Sequence, residues 1–132
     1  MLYPLHSPLR WFGAVLLLVT AAVHVPMVPE HLEEAPYIGA LFIALAVVGV
    51  LLAVLLVLRD TPAVWAVSGI VALLAVVAFL VSRTMGLPQI GDDIGSWGEP
   101  LGFPALVAET LAALAALVAL QHRTRNDRKV QP

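Results

Sequence analysis

Four long apolar runs, each near the length a helix needs to cross a bilayer, leave this chain few folds to choose from. They are Trp11–Val28, Tyr37–Leu58, Pro62–Val81 and Leu101–Leu120. An α-helix rises 1.5 Å per residue, so about 20 apolar residues bridge the hydrocarbon core. The runs do not alternate apolar with polar residues, and they are rich in Ala and Leu, which argues against strands. The expected fold is all-α: a four-helix transmembrane bundle, up-down-up-down, forming one integral membrane domain over residues 1–132.

Composition agrees. The chain is 61% hydrophobic and 12% charged, against about 45–50% and about 25% in soluble domains. There is no cysteine, which excludes disulfides, thiolate metal sites and thiol chemistry. The net charge of -2 and the lack of a basic-aromatic patch speak against nucleic acid.

The first run has features of a signal peptide, with Arg10 before it and Thr20-Ala21-Ala22 as a cleavage-like stretch. It is longer than a usual signal core and follows a chain start at Met1, so we read it as a retained helix.

Turn residues set the connections. Arg59-Asp60-Thr61-Pro62 reads as a tight turn, with Thr61 or Asp60 as helix cap and Pro62 at the first helical position. Residues 29–36 read as a short acidic link with room for one helical turn. Residues 86–102 hold five of the nine glycines and read as a loop. Residues 122–132 read as a basic, frayed tail.

Lys and Arg mark the cytoplasmic side of a membrane protein. With four spans, Arg10, Arg59, Arg123, Arg125, Arg128 and Lys129 fall on one face and only Arg83 on the other. Both termini are therefore expected in the cytoplasm, in a bacterial plasma membrane. Trp11 and Trp65 would mark the inner interface, and Tyr37 and Trp97 the outer one. Small residues at helical spacing would pack the helices: Ala40 and Ala44, then Ala66, Gly69 and Ala72, then Ala108, Ala112 and Ala116 with Ala115 and Ala119 beside them.

The acidic residues gather outside. Glu30, Glu33, Glu34, Asp92, Asp93, Glu99 and Glu109 lie on or just below the outer face, against Asp60 and Asp127 inside. A solvated rim explains part of this. Two ionisable residues, however, stand within apolar runs: His24 and Glu109. Such residues are costly in lipid and usually face the bundle interior. If the first helix ends at Pro29 and the fourth begins near Pro104, both lie roughly 8 Å below the outer ends. Each also has a bland explanation. Glu109 would gain from the macrodipole of a helix start, and His24 would bond a carbonyl freed by Pro26 or Pro29.

Above them, a helical Glu30-His31-Leu32-Glu33-Glu34 would put His31 and Glu34 on one face, the spacing of helical metal sites. His24, His31, Glu34 and Glu109 would suit one divalent transition metal: Zn, Mn, Fe or Cu. Glu30 and Arg83 would be orienting residues or ion-pair partners. For Arg83 the simplest expectation is a salt bridge to Glu109, Glu34 or Glu30. His24 is the only histidine within a run, so bis-histidine haem ligation is not supported, and no phosphate loop or nucleophile elbow occurs.

The Glu-His-x-x-Glu segment at 30–34, the Ser-Arg-Thr-x-Gly-x-Pro segment at 82–88 and Glu109 together resemble a group of small four-helix bacterial membrane proteins, largely from high-GC bacteria. The resemblance implies that the outer polar cluster is a shared feature. It implies no activity.

The residues favour a binding module that holds a metal ion at its outer mouth. The alternative is an accessory subunit packed against a membrane partner or its own copies, with the outer charges as ion pairs only. Transport or proton transfer ranks last, because the inner half of every run lacks ionisable groups.

Overall fold

The computed structural model describes residues 8–131, and every regular element in that range is helical. Helix α1 covers Leu9–His24. A 3-10 turn, Val25–Met27, leads directly into α2, Val28–Glu34. Helix α3 covers Pro36–Arg59, α4 Pro62–Thr84 and α5 Gly102–Val130. Taken with its continuation into α2, α1 gives a stretch of 26 residues, Leu9–Glu34. That stretch, α3, α4 and α5 are four helices long and apolar enough to cross a membrane.

Two boundaries differ from those expected. The first helix does not stop at Pro29. Pro26 and Pro29 each occupy the first turn of a new helical segment, where a missing N–H costs nothing, so the chain keeps its direction to Glu34. The basic tail is also not frayed: α5 runs on to Val130. Residues 121–130 contain no Gly or Pro, and Arg128 and Lys129 in the last turn suit the negative helix end. Residue 132 lies outside the described residues.

The turn between α3 and α4 is built as its residues predict. Asp60 ends α3 in the left-handed region with φ 42°, and Thr61 Oγ1 accepts a hydrogen bond from Val64 N at 3.3 Å. Pro62 opens α4. Asp60 Oδ1 also accepts from Trp65 Nε1 at 2.6 Å. Trp65 therefore faces inward as a core residue, 1% exposed and packed beside Leu56 and Gly13, and not outward as an aromatic of a membrane interface would.

Helix α1 packs on α3 and α5, and α4 packs on α5. Small residues permit the close approaches. A methyl group on Gly69 would stand 2.8 Å from Ala116 Cβ, and one on Gly13 would stand 2.6 Å from the Trp65 ring. The α5 row Ala108, Ala112, Ala115, Ala116 and Ala119 is buried, as its spacing predicts. Ala40 and Ala44 are instead exposed, and α3 approaches α1 through Gly49 and Ala53. Helices α3 and α4, though joined by the tight turn, touch only lightly. A cleft is left between them.

Candidate functional site

The cleft widens into a cavity of about 480 Å³, partly open along one side. Its length is walled by apolar residues of α3 and α4. Its polar end is formed where α1, α2 and α5 meet those helices, near the loop over residues 85–101.

His24 and Glu109 meet at this end. His24 Nε2 lies 3.6 Å from Glu109 Oε1, with the residues 6% and 2% exposed. They sit deeper than expected. At 1.5 Å per residue, His24 is about 15 Å from the end of α2 and Glu109 about 10 Å from the start of α5. A distance of 3.6 Å is longer than a hydrogen bond. Among the described residues the Glu109 side chain makes no hydrogen bond, and His24 is its one ion-pair partner.

The hydrogen bonding of His24 defines its chemistry. Its Nδ1 donates to Thr20 O at 2.7 Å, one turn earlier. A carbonyl only accepts, so Nδ1 carries the hydrogen, and Nε2 is the atom turned toward Glu109, an acceptor when the ring is uncharged. His31 repeats the device: its Nδ1 donates to Met27 O at 2.8 Å. The two histidines are seven residues apart on one helical face, and both line the cavity. Phe42 of α3 contacts both imidazoles, with ring centroids 4.9 Å from His24 and 4.7 Å from His31.

The other expected ligands are not brought in. Glu34 and Glu30 are exposed, and neither forms an ion pair among the described residues. In the continuous helix His31 stands two turns beyond His24 on the inward side, and Glu34, about 60° round from His31, falls on the exposed side. Among the described residues, no group of three or more His, Asp or Glu side chains is placed to hold a metal ion.

Arg83 also has other partners than those expected. Its Nη2 donates to Glu99 Oε2, its Nη1 to Ser82 Oγ at 2.9 Å and its Nε to Ser96 O at 2.8 Å. Asp93 Oδ2 lies 3.3 Å from Nη1. The guanidinium stacks over Phe79, 4.5 Å from its centroid. Arg83 thus fastens the 85–101 loop to the end of α4. Tyr37 holds the loop to α3 by donating to Pro88 O at 2.7 Å.

The sequence did not point to Phe42, Tyr37 or Ser82 as site residues. An aromatic in an apolar run and a serine at a helix end carry no distinctive spacing. Asp93 and Glu99 were legible only as rim charges, because loop folding brings them to Arg83.

No family model, no curated protein and no solved structure matches the chain.

Proposed function

We propose that this chain is an integral membrane protein of the bacterial plasma membrane, threaded up-down-up-down with both termini in the cytoplasm, that binds a cation near its outer side. One observation carries the reading: His24 Nε2 and Glu109 Oε1, both buried, face each other at 3.6 Å, and among the described residues no third side chain bonds either atom. A carboxylate and a lone pair held this way are favourable only if something positive, or a donated hydrogen, lies between them.

A divalent transition metal is one such occupant. Ligands about 2.0–2.2 Å from a tetrahedral zinc stand about 3.4 Å apart, close to the 3.6 Å observed. Anchoring Nδ1 on a carbonyl is also how metal-binding histidines are oriented. His31, beyond Phe42, is the nearest further candidate ligand, and it would need that ring to move. Elemental analysis of protein purified without chelator tests this form of the reading. A transition metal near one per chain, lost in Glu109→Gln and in His24→Phe, supports it. Metal that remains in a His31→Ala, Glu109→Ala double variant contradicts it.

A second reading, an accessory subunit, is favoured by the Arg83 cluster, whose partners are all in its own helix and loop and do a structural job. A cross-linked oligomer that is unchanged by replacing His24 supports it. A clean monomer in mild detergent counts against it.

A further inference from the structure

We infer that the cation taken by this cavity is organic: an alkylammonium whose nitrogen sits between His24 and Glu109 and whose apolar chain lies in the cleft between α3 and α4. The inference rests on the cation reading above and names the class of ligand.

The cavity is far too large for an ion alone. About 480 Å³ falls in the range of small-molecule sites, about 300–1,000 Å³. Its walls below the polar end are Leu45 and Val48 on α3 facing Val71 and Ala75 on α4. A metal ion has no use for this space, whereas a hydrocarbon chain fills it.

The polar end discriminates by hydrogen-bond sense. With Nδ1 donating to a carbonyl, the Nε2 atoms of His24 and His31 are the ones left to meet a ligand, beside the Glu109 carboxyl group, and each accepts from a donor that approaches an uncharged ring. Most of the donors around them are engaged by the protein. Tyr37 donates to Pro88 O, Ser82 to Phe79 O, and Arg83 to Ser82, Ser96 and Glu99. A carboxylate or phosphate head would meet acceptors and committed donors. An alcohol would supply one hydrogen. A primary ammonium supplies three, with a positive charge for Glu109 and a nearby Phe42 ring to lie against.

The route is sideways. Because α3 and α4 touch lightly, the cleft opens toward the surface that would meet lipid. An amphiphile already dissolved in the bilayer reaches it without crossing water.

Native mass spectrometry of the full chain in an uncharged detergent tests the proposal, using oleylamine, oleyl alcohol and oleate, which share a tail, and zinc chloride alone. The expected result is a saturable complex with one oleylamine, about tenfold or more tighter than with the alcohol or the acid, the equivalent of one charge-assisted hydrogen bond. Ala75→Phe fills the cleft and Glu109→Gln removes the charge, so each weakens binding about tenfold. Ala44→Phe, on the opposite wall, repeats the block should Ala75→Phe fold poorly. Val47→Phe, on the outer side of α3 and absent from the lining, leaves binding unchanged. Equal binding of the three heads, or oleylamine binding that ignores both cleft blocks, overturns the inference. Zinc binding that depends on Glu109 without any oleylamine complex also overturns it, while the cation site stands. If neither probe binds, both fall.

Discussion

Glu109 of α5 and His24 of α1 face each other across 3.6 Å inside the bundle, and Thr20 fixes the geometry by accepting the Nδ1 hydrogen of His24. The far nitrogen is thereby turned toward a carboxyl group. This is an unusual thing to bury, and it gives the pair a measurable energetic signature.

Removing one member strands the other. His24→Leu removes the nitrogen that shares a hydrogen or a cation with Glu109 and should lower stability by about 1–3 kcal/mol. Replacing both by Leu should recover most of that loss, because two packed apolar side chains suit this setting as well as a pair. A double-mutant cycle of unfolding in mixed micelles checks it, and additive single effects would contradict the pairing.

The helix contacts predict a rescue. Gly69→Ala drives a methyl group to 2.8 Å from Ala116 Cβ and should cost about 1–3 kcal/mol. Adding Ala116→Gly should restore much of it, because it vacates the same space. Thermal melts of the two single variants and the double variant decide the matter.

The turn between α3 and α4 depends on a side chain that tolerates positive φ and accepts from Trp65. Asn does both, so Asp60→Asn should keep the turn and cost less than Asp60→Ala. Asp60→Ala loses the acceptor at a left-handed position and should cost about 2–3 kcal/mol. Near-ultraviolet circular dichroism of Trp65 should weaken in the second variant only.

Two buried hydroxyls, Thr20 Oγ1 and Ser68 Oγ, have no hydrogen-bond partner among the described residues. Thr20→Val keeps the shape and the carbonyl that anchors His24 while removing the unmet group. It should raise stability by about 1 kcal/mol, read as a higher melting midpoint.

Topology can be tested cleanly because the chain has no cysteine. A single Cys at Ser96 should react with a membrane-impermeant maleimide in intact cells. A Cys at Arg125 should react only after lysis.

The four apolar runs and the Thr61-Pro62 turn were readable because length, composition and capping act locally. The pairing of His24 with Glu109 was readable because each is costly in an apolar run, which restricts where it can point. What was hidden depended on continuity. Pro26 and Pro29 look like a stop, yet they fall where helical segments begin. Carrying the helix to Glu34 is what turns His31 inward beside Phe42 and Glu34 outward. Trp65 looked like an interface anchor because nothing nearby in the sequence announces that Asp60 will take its N–H. The Arg83 partners depend on the path of a loop that brings Asp93 and Glu99 back to the end of α4.

The central claim concerns one nitrogen atom, and nitrogen NMR of the histidine-labelled protein in nanodiscs reads it directly. His24 should show a hydrogen on Nδ1 and a bare Nε2, whose resonance moves when a bound cation, zinc or oleylamine, is added to the wild type and stays still in Glu109→Gln. A hydrogen on Nε2 of the uncharged ring, or a resonance that neither cation moves, would contradict the account.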